Sequence, residues 1–200
     1  MSLMTARFLK RITQELREAL KLNTCNISYG LVDPDDLYNL EACIIGAENT
    51  PYYGGVFKLR IQLPPEYPFK PPNVNFITRI FHSNVSNDGN ICLDLLKHNW
   101  SPIHTIENVL LSILLLMECH NPDDPLNTTA SNLFKTNPRE YFRQCQNFTR
   151  RYASGYSEIP MDIDEESLEE DNYNVIRFSR RNSIDEIAIS ITEPLNPHYD

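Results

Sequence analysis

Five prolines fall within nine positions, in the run Pro64-Pro65-Glu66-Tyr67-Pro68-Phe69-Lys70-Pro71-Pro72. Proline fixes φ and has no N–H to donate, so neither a helix interior nor a central strand can pass through this run. The residues before it are strand-like: Phe57, Leu59, Ile61 and Leu63 alternate with Lys58, Arg60 and Gln62. One face suits a core and the other suits water, the pattern of an antiparallel sheet. The residues after it, Asn73 to Ile80, read as a less regular strand. Set between two strands of one domain, the prolines predict a rigid, exposed elbow rather than a flexible linker or a ligand for an aromatic groove.

Around this elbow the periodicity changes twice. Phe8, Ile12, Leu16 and Leu20 recur at helical spacing, with Lys10, Arg11, Gln14 and Arg17 off the stripe, which predicts an amphipathic first helix. Leu37 to Ala47 is a mixed apolar strand, followed by the turn-like Glu48 to Pro51 and by Gly54-Gly55. Thr105 to Glu118 is rich in Leu and Ile on most faces, and is predicted to be a largely buried helix broken at Asn121 to Pro125. Asn137 suits an N-cap with Pro138 at the first helical position. From there Tyr141, Phe142, Cys145, Phe148 and Tyr152 mark a last amphipathic helix, ending near Ser154-Gly155. One helix, then strands, then helices is an α+β order. Residues 81–104 show little pattern, and a loop that long inside a compact domain is more often functional than not.

Charge divides the chain. Residues 1–155 carry 15 Lys+Arg and 15 Asp+Glu, whereas residues 156–200 carry 3 and 12, so the tail holds the whole net charge of -9. The expected organisation is a neutral folded domain over 1–154 and an acidic, mostly disordered tail over 155–200. Arg180 and Arg181 precede Ser183 in a weak basophilic-kinase pattern. No clustered positive charge suggests nucleic-acid binding. The first residues lack the apolar core of a secretory signal. The greasiest run, Val109 to Met117, falls short of the about 20 residues of a membrane span. A soluble chain of the cytoplasm or nucleus is expected, with no nucleic-acid or membrane partner.

The five cysteines, Cys25, Cys43, Cys92, Cys119 and Cys145, have no paired spacing and no zinc pattern, so free thiols are expected. Cys43, Cys119 and Cys145 read as core residues and Cys25 is undecided. Cys92, flanked by Ile91 and Leu93, also reads as a buried thiol on composition alone. Its place after a Ser/Asn/Asp/Gly-rich turn, near Asn84 and Asp94, points instead to a thiol that is used. A Cys–His hydrolase would need an imidazole on that sulfur, and His82, His98, His104 and His120 are available.

Several motifs in order then resemble one family. They are the proline elbow with Tyr67-Pro68-Phe69-Lys70-Pro71-Pro72, the tripeptide His82-Ser83-Asn84, Cys92 eight positions after that Asn, Trp100-Ser101-Pro102, and Asp123-Asp124-Pro125. Together they resemble the ubiquitin-conjugating enzymes over about residues 5–153. The resemblance implies the UBC fold: an N-terminal helix, a four-stranded antiparallel meander, a long catalytic loop, a central helix and two C-terminal helices. It implies a transferase in which Cys92 accepts ubiquitin as a thioester and yields it to a substrate lysine. No cofactor belongs to the chain itself, since ATP is used by the activating enzyme. Asn84 matches the asparagine credited with oxyanion stabilisation or loop ordering, Asp124 the acid that positions the incoming lysine, and Asp94 a second acidic position. His82 is expected to be structural.

The resemblance also implies partners: ubiquitin, its activating enzyme, a ligase of the RING type, and substrate proteins. Lys10 and Arg11 match the basic helix face that docks the activating enzyme. Phe69, Asn99, Ser101 and Pro102 match ligase-contacting positions, and Ile103 replaces a commonly smaller residue. The tripeptide departs from the usual His-Pro-Asn at Ser83. Three other readings stand beside this one: conjugation of a ubiquitin-like modifier of the neddylation type, a noncatalytic ubiquitin-binding variant, and the hydrolase.

Overall fold

The computed structural model describes residues 3–21, 26–121 and 124–154, with the side chains of Leu3 and Met4 left aside. Cys25, Asp123, the boundary after Ser154 and the acidic tail with Ser183 lie outside the described residues. Helix α1 spans Leu3–Ala19, and strands β1 (Ile27–Leu31), β2 (Asn39–Ile45), β3 (Val56–Gln62) and β4 (Asn73–Phe76) follow. Helices α2 (Ile106–Glu118), α3 (Thr128–Thr136) and α4 (Pro138–Phe148) complete the order, with a π-helical turn at Thr149–Ala153. The strands pair antiparallel in the order β1-β2-β3-β4, the meander expected for this chain.

Register follows the alternation read from the sequence. Leu40 pairs with Ile61, Ala42 with Leu59 and Ile44 with Phe57, and all six are buried. A slip of one residue would send that set into water, so the pairing is strongly specified. Phe8, Ile12 and Leu16 of α1 and Ile106, Val109, Leu110, Ile113 and Met117 of α2 join the same core. Helix α2 begins where Thr105 and Asn108 form a reciprocal capping box. Helix α4 begins at Asn137, whose side chain accepts the Glu140 N–H, with Pro138 in the first turn.

Four expectations need correction. Helix α2 buries one face only, for Leu111 and Leu115 are exposed; its apolar surplus exceeds what a single buried face requires. Cys43 faces away from the core and is half-buried, because β2 alternates and Leu40, Ala42 and Ile44 take the inner side. Cys119, just past the end of α2, is exposed. Leu20 lies beyond the end of α1 and is largely exposed. No helix among the described residues is long and apolar enough to cross a membrane.

Candidate functional site

Residues 77–105 link β4 to α2 with one short 3-10 turn, Asp94–Leu96, so side-chain and loop hydrogen bonds fix their course. Gly89 donates to the Ser86 carbonyl, and its own carbonyl accepts the Phe76 N–H, both at 2.9 Å. A Cβ at Gly89 would lie 2.1 Å from the Phe76 carbonyl oxygen, and φ there is +83°, so the turn requires glycine. The chain then returns, and the Cys92 N–H donates to the Asn84 carbonyl at 2.8 Å. Asn84 and Cys92 are thereby neighbours through the backbone.

Cys92 is buried, with 7% of its surface exposed. Its Sγ donates to Asp124 Oδ2 at 2.9 Å and accepts from Lys97 Nζ at 3.0 Å. Burial and the Asp124 carboxylate push the thiol pKa up, while the Lys97 ammonium opposes them. The balance leaves a protonated sulfur at neutral pH with its hydrogen directed at a carboxylate. The contact with Cys92 in turn raises Lys97 above an ordinary lysine, so that cation persists. A latent nucleophile, a proton acceptor and a cation therefore share one sulfur, an arrangement that can release a thiolate on demand.

Asn84 is buried and is bonded to the backbones of Asn121 and Asp124. Its Oδ1 accepts the Asn121 N–H at 2.9 Å, and its Nδ2 donates to the carbonyls of Asn121 at 2.6 Å and Asp124 at 3.0 Å. The Ser83 carbonyl accepts the N–H groups of Leu126 and Asn127. His82 is fully buried; its Nδ1 accepts the Asn84 N–H at 3.0 Å. Burial, reinforced by neighbouring His120, holds His82 down to about 3, so it is neutral.

The structure brings Cys92, Asn84 and Asp124 together, whereas Asp94 is exposed and is not one of the two groups on the sulfur. Among the described residues no imidazole contacts Cys92 Sγ, which removes the geometric basis for a Cys–His hydrolase. The positions expected to meet partners gather around the elbow. Trp100 Nε1 donates to the Pro68 carbonyl at 2.8 Å, and Phe69, Asn99, Pro102 and Ile103 are exposed, with Ser101 half-buried. Lys10 is exposed as expected. Arg11 is not: it donates to the Pro102 carbonyl at 2.8 Å, to the His104 carbonyl at 2.5 Å and to Glu15. It ties α1 to the Trp100 loop because buried Glu15 draws its guanidinium inward.

Sequence reasoning passed over Lys97 and Glu15, and named His120 only among the imidazoles available to a hydrolase. Lys97 had a readable signal, a cation one short turn after the candidate nucleophile. Glu15 had another, since it falls three residues after Ile12 and hence on the buried stripe of α1. His120 had none, because only the fold sets it beside His82.

Comparison with known proteins agrees with the fold. The family model described as ubiquitin-conjugating enzyme matches residues 11–149. A Plasmodium yoelii crystal structure assigned as a ubiquitin conjugating enzyme is similar at 36% identity and a TM-score of 0.71, covering 75% of this chain and 97% of that one. The E2 domain of a Toxoplasma gondii ubiquitin conjugating enzyme is similar at 36% identity and a TM-score of 0.68, covering 72% of this chain and 98% of that one. The chain belongs to the ubiquitin-conjugating enzyme family and has the UBC fold. Members of that family are transferases that act between an activating enzyme and ligases.

Proposed function

We propose that this chain accepts ubiquitin from its activating enzyme as a thioester on Cys92 and transfers it to a substrate lysine held by a RING-type ligase. The observation that carries this reading is the placement of Cys92 Sγ between Asp124 Oδ2 and Lys97 Nζ. In charging, the Cys92 proton passes toward Asp124, and the thiolate attacks the thioester carbonyl delivered by the activating enzyme. The C–S bond to that enzyme breaks, a new one forms to Cys92, and the proton held by Asp124 leaves with the departing thiolate. In discharge, a substrate amine attacks the Cys92 thioester, and Asp124, again a carboxylate, can orient that amine and accept its proton; the C–N bond forms, the C–S bond breaks, and the proton returns to the released Cys92 thiolate. A thioester is reactive enough toward amines that no metal or stronger acid is needed.

Asn84 acts in this scheme first as an anchor. Both hydrogens of its amide are committed to the Asn121 and Asp124 carbonyls, so donation to an oxyanion would require one of them to be released. Asp94 lies near Lys97 and favours its charge, a supporting role. The exposed residues Phe69, Asn99, Pro102 and Ile103, with Ser101, supply the ligase-facing end, and Lys10 the contact for the activating enzyme. A second reading, conjugation of a ubiquitin-like modifier, gains from the internal engagement of Arg11. That tie takes one of the two basic residues expected to dock the ubiquitin-activating enzyme.

One experiment separates them. The chain is incubated with ATP, ubiquitin and the ubiquitin-activating enzyme, and in parallel with a ubiquitin-like modifier and its own activating enzyme. Products are resolved by non-reducing electrophoresis. A ubiquitin adduct that collapses on adding thiol is expected; an adduct with the other modifier alone would transfer the assignment to the second reading.

A further inference from the structure

Beneath the segment that carries Asn84 lies a pair of imidazoles that the scheme above does not use. His82 Nε2 is 2.8 Å from His120 Nδ1 and 3.0 Å from the Leu116 carbonyl oxygen, and His82 Nδ1 is 3.0 Å from the Asn84 nitrogen. Accounting for hydrogens assigns the three ring nitrogens that make these contacts. The Asn84 N–H can only donate, so His82 Nδ1 carries no hydrogen. The Leu116 carbonyl can only accept, so His82 Nε2 carries one. His120 Nδ1, against that same N–H, must then be bare.

We propose that His120 is a positioning residue for Asn84, holding the His82–Asn84 contact in place only while its Nδ1 is unprotonated. A proton on that nitrogen would set N–H against N–H at 2.8 Å. His82 could escape by moving its hydrogen to Nδ1, but that would oppose the Asn84 N–H and deprive Leu116 of its donor. Either rearrangement loosens Asn84, and with it the hold on the Asp124 backbone that presents the carboxylate to Cys92. The consequence for transfer rests on the role proposed above for Asn84 and Asp124; the contact itself does not.

His120 is placed to respond to pH while His82 is not. The His120 ring is half-buried, whereas His82 is sealed. Edge-to-face contacts hold the His120 ring, with Phe134 of α3 at 4.9 Å and Tyr141 of α4 at 5.2 Å between centroids. Among the described residues, the titratable groups packed against it are His82 from the loop and Tyr141 from α4. Glu118 and Cys119 precede it in the chain. Burial holds His120 below an ordinary histidine, so the contact is intact at neutral pH and is challenged on mild acidification.

The test uses the full-length chain and the variant His120→Gln, whose side-chain oxygen can still accept from His82 but cannot titrate. Nuclear magnetic resonance follows the Asn84 backbone amide and the His120 ring as pH falls. In the wild type the amide shift is expected to move with the His120 titration, and in His120→Gln to stay flat. A wild-type amide that ignores that titration, or an equal movement in both proteins, would overturn the proposal. In parallel, chains charged at neutral pH are moved to a pH at which the resonance titration finds the His120 ring mostly protonated, and are mixed with free lysine. Comparing the two proteins at one pH cancels the titration of the lysine itself. Discharge is expected to be equal near pH 7.5 and severalfold slower in the wild type at the lower pH. If the amide titrates and the discharge ratio does not change, the contact stands, and the role of Asn84 in transfer is what fails.

Discussion

Replacing Glu15 with alanine should cost as much stability as truncating an apolar core residue of the same helix. Its carboxylate is 4% exposed, yet three donors converge on it from three parts of the chain. Tyr67 of the elbow donates its hydroxyl at 2.6 Å, Ile106 donates its backbone N–H at 2.7 Å, and Arg11 donates from one turn earlier in α1. Ile106 opens α2, so the carboxylate also satisfies a terminal N–H and meets the positive end of the helix dipole. Deleting one partner of a buried ion pair typically costs about 3–5 kcal/mol. Arg11 keeps its two carbonyl acceptors and some solvent, which favours the lower end, about 3 kcal/mol. With a urea slope of about 1–3 kcal/mol/M, the midpoint should fall by about 1–3 M. Glu15→Gln retains one acceptor and should lose about half as much. Urea unfolding of the full chain, followed by fluorescence of Trp100 beside Tyr67, measures both. A Glu15→Ala midpoint unchanged from the wild type would show that the three contacts do not hold α1, the elbow and α2 together.

Other perturbations address the site and its support. Cys92→Ser should form no thiol-sensitive adduct, giving at most a thiol-resistant oxyester, whereas Cys43→Ser and Cys119→Ser should charge normally; a thioester on the Cys92 variant would refute the assignment. Lys97→Gln removes the cation on the sulfur, so Cys92 should react more slowly with iodoacetamide at neutral pH, and unchanged or faster alkylation would count against that electrostatic account. Stability should fall on mild acidification because His82 is held to about 3 in the fold and reverts to about 6.5 when unfolded. The unfolded chain binds the proton first, so the contribution is complete above pH 6.5 and is lost between 6.5 and about 3. That amounts to about 2 kcal/mol between pH 7 and pH 5. Urea midpoints at those two pH values check it: His82→Gln, compared with itself, should lose most of that pH slope, and an unaltered slope would exclude His82 as its source.

The strands and helices were legible because their residues repeat at the periods their neighbours demand. Phe57, Leu59 and Ile61 could be assigned to one face without a structure, and Phe8, Ile12 and Leu16 likewise. Where apolar content exceeded the buried face, as with Leu111 and Leu115, periodicity overstated burial. Cys92 stood out by its place after a polar turn, whereas the roles of Asn84 and Asp124 came from resemblance; sequence spacing alone could not place Asp124 on a sulfur 32 positions away. The polar supports were the least legible. Glu15 was hidden because a carboxylate on an apolar stripe reads as a flaw in the pattern until its donors are known, and those donors lie 52 and 91 positions downstream.

Ser83 shows how the loop tolerates losing the usual proline. A proline would restrict φ at this position chiefly by narrowing the unfolded ensemble, an effect of about 0.4–1 kcal/mol. In the folded chain that restriction is supplied by cross-links. The Ser83 carbonyl accepts two N–H groups from Leu126 and Asn127, Asn84 is clasped by His82 and by the backbones of Asn121 and Asp124, and the Phe81 carbonyl accepts from Tyr52 Oη at 2.8 Å and Cys145 Sγ at 3.2 Å. Phe81, Ser83 and Asn84 are therefore held from both sides of the chain, by Tyr52 before them and by residues after α2 and in α4. Backbone freedom gained at Ser83 has little room to act while those bonds persist. It matters only when one of them opens, and the His82–Asn84 bond is the member of the set that a proton, taken up at His120, can open.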